Sequence, residues 1–228
     1  MFYYYDPTYI LVVIGFILTL FASFGVNGTF NKYKDVASRR GITGAMAARK
    51  ILDANGLNHV QVVRIPGNLT DNFNPSTNVV SLSDSTYSST SVAAIGVAAH
   101  ECGHAVQHQQ GYAPIKVRNG IYPVVRIGNV LSMPLFILGL ILGIGDLAMF
   151  GAILFGLVLV FQLVTLPVEF NASRRAIATL DGMYLLDEDE LKGAKKVLGA
   201  AAMTYVAAAA STALQFLRLV MLANRRRD

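Results

Sequence analysis

The sequence predicts a mainly α-helical membrane protein that carries a small α+β domain, in which a short β-sheet lies beside a helix bearing two histidines. Three observations predict it. The 228 residues are 54% hydrophobic and only 14% charged, and the mean hydropathy is +0.48. That is too apolar for an ordinary soluble domain. The apolar residues also gather in long runs, Ile10 to Val26 without a charge and Ile127 to Val168 with Asp146 alone, the length scale of a bilayer. Between those runs the pattern shortens to strand-like segments and one small-residue helix.

Taken in chain order, the first element is an N-terminal anchor assigned to residues 1–30. Ile10 to Val26 is 17 residues long, at the short end of what spans. Tyr3, Tyr4, Tyr5 and Tyr9 precede it as an interfacial aromatic belt. No basic residue comes before the run and no clear Ala-x-Ala site follows it, so an uncleaved anchor is expected rather than a signal peptide.

Residues 31–120 form the first part of the small domain. Thr43 to Ala54 reads as an amphipathic helix stopped by Asn55-Gly56. Val60 to Ile65 and Val79 to Leu82 read as strands, with His59 at the start of the first. Pro66-Gly67 and Asn74-Pro75 mark loops. A helix from about Ser91 to Gln110 follows, with Ser88 to Ser91 offering N-caps and Gly111 a stop.

Residues 121–166 are expected to be a transmembrane helical hairpin, broken at Gly143-Ile144-Gly145-Asp146. Residues 167–228 complete the domain. Pro167 suits a first helical turn, so a new helix is expected there. The last helix, Val197 to Ala223, is long enough to cross a bilayer. Arg218 interrupts it, however, and Arg225-Arg226-Arg227 follow it. Packing along the membrane interface is therefore expected, with a fourth span as the alternative.

The chemistry is concentrated in His100-Glu101-Cys102-Gly103-His104, a His-Glu-x-x-His pattern. Imidazoles four residues apart share a helix face and reach one ion, while Glu101 stands beside them to handle a water. The spacing points to a zinc site. Zinc needs a third protein ligand and, for catalysis, a position open to water. His108 fails as that ligand, because eight residues of helix separate it from His100 by about 12 Å. Cys102 lies about 200° around the helix from His100 and is expected to pack. Glu169, in Pro167-Val168-Glu169-Phe170-Asn171-Ala172-Ser173, offers a carboxylate from a second helix. Taken alone, a salt bridge to Arg174 explains it equally well.

These segments together resemble the YugP-like membrane zinc metallopeptidases, distant relatives of the HtpX-type proteases. The likeness rests on His100 to His104 with Glu169 to Ser173, on Arg64 to Pro75 and Asn78 to Ser83, and on Leu198 to Ala208 with Met203-Thr204-Tyr205-Val206-Ala207 at its centre. It covers nearly the whole chain. What it implies is a gluzincin with a zincin-like catalytic domain: one Zn2+ held by His100, His104 and Glu169, and Glu101 as general base. HtpX-type relatives carry an Asp where Ser173 stands, so a carboxylate role does not transfer there, although Asn171 or Ser173 can still hydrogen-bond a ligand. Tyr205 is the expected oxyanion donor, and Asn78 to Ser83 the expected edge strand that pairs with extended substrate.

The substrate expected is a peptide or protein, and the bilayer is a further partner. Lys32, Lys34, Arg39, Arg40, Arg49, Lys50, Lys116, Arg118, Arg126, Arg174 and Arg175 all flank spans on one side. The positive-inside rule makes that side cytoplasmic, so a multi-pass cell-membrane protein with its site facing the cytoplasm is expected. The single cysteine excludes an internal disulfide. The +5 net charge sits beside membrane segments, which favours anionic lipid over nucleic acid. Two other readings compete. A site-2-type intramembrane peptidase is suggested by Leu180-Asp181-Gly182, but the polar stretch Ser81 to Ser91 before the metal helix speaks against it. A noncatalytic zinc-binding membrane scaffold or adaptor is the other, and the intact Glu101 speaks against that.

Overall fold

The structure, a computed structural model, describes residues 6–225; Tyr3, Tyr4 and Tyr5 of the aromatic belt, and Arg226 and Arg227, lie outside them. In order the elements are α1 (Tyr9–Tyr33), α2 (Gly44–Ala54), β1 (Gln61–Ile65), β2 (Asn72–Asn74), β3 (Val79–Ser83), α3 (Asp84–Tyr87), α4 (Val92–Gln109), α5 (Ala113–Leu142), α6 (Gly145–Gly182) and α7 (Glu188–Asn224). The fold is mainly helical, with one small three-stranded sheet. The chain forms two compact units. One takes the chain up to Ser23, Lys116–Leu166 and the chain from Thr204, and the other takes Phe24–Ile115 and Pro167–Met203.

The first unit is made from parts of α1, α5, α6 and α7, the four helices among the described residues that are long and apolar enough to cross a membrane. Small residues let them approach closely, as expected where lipid removes the hydrophobic drive for helix pairing. Gly139 faces the backbone of Ala148, and a Cβ on Gly151 would lie 2.7 Å from the Ser132 carbonyl oxygen. Gly143, at φ +69°, supplies the left-handed turn that ends α5. The predicted break of the hairpin is therefore where the chain reverses.

One expectation about helices needs correction. Pro167 does not open a new helix, because α6 runs unbroken through it from Gly145 to Gly182. A proline costs one backbone hydrogen bond there, yet the helix continues on the packing of its neighbours. The C-terminal segment is one helix of 37 residues, whose length and composition suit the alternative of a fourth span. Arg218, the main objection, is not left bare. Its Nη2 is 3.3 Å from Asp6 Oδ2, and its guanidinium lies 4.3 Å from the centre of the Tyr9 ring.

The second unit is built on α2, α4 and the sheet. Thr43 caps α2 by accepting from Met46 N, and Ser91 caps α4 by accepting from Ala94 N. Gly111, at φ +61°, terminates α4. The core joins Ile51 and Leu52 of α2 to Val80 and Leu82 of β3, Ile95 and Ala98 of α4, and Leu180 of α6. α4 can sit at the centre of this unit because Val92 to Ala99 carries almost only small apolar side chains, most of them fully buried.

The sheet order is β1-β3-β2, with β1 parallel and β2 antiparallel to β3. This overturns the edge-strand assignment for Asn78 to Ser83. The short strand Asn72–Asn74 was not anticipated, and it pairs Phe73 with Val80 and occupies the side of β3 that β1 leaves open. His59 lies in the turn before β1 rather than in the strand.

Candidate metal centre

His100 and His104 fall one turn apart on α4, their rings edge to face with centroids 4.7 Å apart. From α6 the Glu169 side chain enters the same space. It is almost fully buried, and its Oε2 lies 3.4 Å from His100 Nε2 and 3.6 Å from His104 Nε2. The approach of α6 to α4 depends on Gly103, where a Cβ would stand 2.7 Å from the Ala172 carbonyl oxygen. Only glycine lets the helices come this near, so the residue between the two histidines sets the distance to the carboxylate.

The donor set fits a zinc ion. A tetrahedral ion with bonds of about 2.0–2.1 Å sets its ligand atoms roughly 3.3–3.4 Å apart, close to the two separations observed. Glu169 Oε2 is buried and accepts no hydrogen bond. A carboxylate oxygen removed from water in this way is costly unless an ion or donor meets it. Among the described residues, His100, His104 and Glu169 are the one group of such donors arranged to hold an ion.

The ring nitrogens turned away from Glu169 are held as well. His104 Nδ1 is 3.0 Å from Gln107 Oε1. The Gln107 amide cannot be reversed, because its Nε2 donates to the Val168 carbonyl at 2.8 Å and to Asn171 Oδ1 at 2.9 Å. Its Oε1 must therefore accept, so His104 carries its proton on Nδ1 and presents a lone pair at Nε2. His100 Nδ1 is 3.1 Å from Ser173 Oγ. Partners of this kind fix the tautomer and orientation of ligating histidines.

Glu101 is also buried, and its side chain makes no hydrogen bond among the described residues. Burial pushes its carboxyl above the usual carboxylate range, with the two imidazoles opposing that shift. For His104, burial works against the charged ring, but the nearby carboxylates of Glu169 and Glu101 outweigh it and raise its pKa. A carboxylate with raised basicity beside a candidate ion is the arrangement a general base needs.

The remaining residues singled out by the sequence separate cleanly. Cys102 is fully buried with Sγ 3.6 Å from the Ala48 carbonyl oxygen, and burial drives its thiol pKa far up. It packs. His108 is exposed and 6.0 Å from the Phe73 ring centre. Leu180 is core and Asp181 is exposed, so the Leu-Asp-Gly segment joins no metal group among the described residues. Tyr205 stands on α7, 41% exposed, in the helical unit. Asn171 accepts from both Gln107 and Arg175. Sequence reasoning missed Gln107, although its position extends the face of His100 and His104 by the helical spacing of three.

Comparison with known proteins also points to zinc. The family described as "Putative neutral zinc metallopeptidase" matches residues 8–224. A relative from Bacillus subtilis (strain 168), "Putative membrane protease YugP", is 45% identical over 211 residues, 92% of this chain and 94% of the relative. No solved structure matches the chain significantly. With a match spanning nearly its whole length, the chain belongs to this family of zinc metallopeptidases.

Proposed function

We propose that the protein is a membrane-embedded zinc endopeptidase in which His100, His104 and Glu169 hold the metal and Glu101 is the general base. The observation that carries this is the buried, unbonded Oε2 of Glu169 facing two Nε2 atoms at 3.4 and 3.6 Å. A zinc ion, when bound, supplies Lewis acidity and makes a water acidic enough to ionise near neutral pH. Gln107 and Ser173 keep the two imidazoles aimed at one point, so the ligands need no reorganisation.

Glu101 then carries the proton traffic. Its carboxylate takes a proton from the attacking water as the oxygen bonds to the peptide carbonyl carbon. It returns that proton to the amide nitrogen as the carbon–nitrogen bond breaks. This makes the second unit, with its sheet beside α4, a zincin-like domain.

The basic residues flanking the spans support a site on the cytoplasmic face of the cell membrane. In a four-span arrangement α1 begins, and α7 ends, on the opposite face. Glu101→Gln tests the assignment. The variant should bind zinc as tightly as the parent and lose peptide hydrolysis by several orders of magnitude. Hydrolysis that survives in a preparation free of other peptidases would show that the base lies elsewhere.

A further inference from the structure

Between α6 and α7, inside the second unit, lies a cavity of about 490 Å³ that holds none of the candidate metal ligands and meets the metal centre only through Ser173, the partner of His100. Phe170, Ile177, Leu198 and Ala202 give it apolar walls, and Arg174 and Lys195 bring two positive charges. No acidic residue lines it. Neither cation has an ion-pair partner among the described residues, whereas Arg39 and Arg64 each hold an aspartate. An apolar trough with two uncommitted cations is complementary to an anionic amphiphile.

Position decides which amphiphile. The apolar run of α6 ends at Val168, and Arg174 stands six residues further, about 9 Å along the helix axis. The headgroup layer of one leaflet is about 5–8 Å thick. The Arg174 backbone thus stands just outside the headgroup layer, from which its long side chain reaches back to the phosphates, while Phe170 and Ala202 lie toward the points where α6 enters the unit and α7 leaves it. An acidic peptide would find the charges but would leave the apolar walls without a chain to cover them. A phospholipid satisfies both.

We propose that this cavity binds one anionic phospholipid, its phosphate between Arg174 and Lys195 and an acyl chain along Phe170, Leu198 and Ala202. The proposal rests on the membrane-spanning reading above. It is tested on the full-length protein in nanodiscs of phosphatidylcholine doped with phosphatidylglycerol, by counting the lipids retained in native mass spectrometry. The parent should keep one phosphatidylglycerol. Retention should fall on the order of tenfold in Arg174→Ala/Lys195→Ala and stay unchanged in Lys34→Ala/Lys50→Ala.

Gly199→Leu supplies an independent arm. A Cβ at that cavity-lining position meets nothing within 4 Å, so a leucine should extend into the trough without unfolding the helix and should displace the lipid. Equal retention in all variants overturns the proposal. So does competition by water-soluble glycerol phosphate or by an acidic peptide, which would make the site one for a free anion or a substrate. Insertion with no preference for phosphatidylglycerol overturns this inference alone, whereas failure to enter the bilayer overturns the spanning reading with it.

Discussion

Gln107 Oε1 accepts from His104 Nδ1 at 3.0 Å, and the same amide donates through Nε2 to the Val168 carbonyl oxygen at 2.8 Å. One buried side chain therefore orients a histidine on α4 and grips α6 one residue before Glu169. Gln107→Leu should weaken zinc binding roughly 10- to 100-fold, the usual cost of losing a partner behind a ligand. Gln107→Glu separates the two roles. It keeps an acceptor for His104 but gives up the donor to Val168 and Asn171, so zinc affinity should stay nearer that of the parent while stability falls by about 1–3 kcal/mol. Equal zinc affinity in Gln107→Leu and the parent, by competition with a chromophoric chelator, would remove Gln107 from the centre.

Zinc should also stabilise the fold, because Glu169 Oε2 is buried without a hydrogen bond until an ion meets it. At free zinc about a thousandfold above Kd, ligation adds about 4 kcal/mol. Chelation should therefore lower the melting temperature of the parent. Glu169→Gln should melt at one temperature with or without zinc, since a neutral amide binds the ion poorly and no longer leaves a buried charge unpaired. A chelator that leaves the parent's melting curve unmoved would argue that the three side chains form an ion-pair cluster and nothing more.

The parts of this molecule legible in the sequence are those governed by local rules. Ser91 and Gly111 bracket α4 because one offers a cap oxygen and the other a left-handed φ, and both are visible as letters. His100, Glu101 and His104 are fixed by one helical turn. A carboxylate beside an apolar run demands a partner, which brings Glu169 forward but leaves ion and salt bridge equal until the family resemblance chooses between them. What the sequence concealed depends on tertiary pairing. A three-residue strand such as Asn72–Asn74 leaves hardly any periodic signal, so β3 passed for an edge. Pro167 looked like a helix start because only packing can sustain a helix through it. The partner of Arg218, Asp6, is hidden from the sequence because it is 212 residues away. Gln107 was passed over because its meaning lies in which groups face it.

The space between α4 and α6 should tolerate no side chain at Gly103. Its Cβ would lie 2.7 Å from the Ala172 carbonyl oxygen, inside any real contact. Gly103→Val must push the helices apart, and overpacking of this sort costs about 1–3 kcal/mol. The displacement would move Glu169 away from both imidazoles without altering any donor. Zinc affinity should fall more than tenfold although all three ligands remain. Gly182→Ala, where a Cβ meets nothing within 4 Å, should leave binding unchanged. Parent-like zinc affinity in a folded Gly103→Val would show that the close approach is not what builds the site.

Asp6 and Arg218 should behave as a coupled pair. Their side chains are only 12% and 14% exposed, Thr8 Oγ1 also donates to Asp6, and Tyr9 covers the guanidinium. Arg218→Leu strips the carboxylate of its main counter-charge, whereas Asp6→Asn/Arg218→Leu removes both charges together. The single variant should therefore melt lower in detergent than the double, since an unpaired charge in a poorly hydrated setting costs more than a neutral pair. Equal melting temperatures would mean that the two charges do not sense each other. The pairing has a topological consequence too: if α7 crosses the bilayer, Asp6 and Arg218 share the face opposite the metal centre. A cysteine in place of Asn224 should then react with an impermeant maleimide added outside intact cells, while the buried Cys102 stays silent. Reaction only in inverted vesicles would return α7 to the cytoplasmic side.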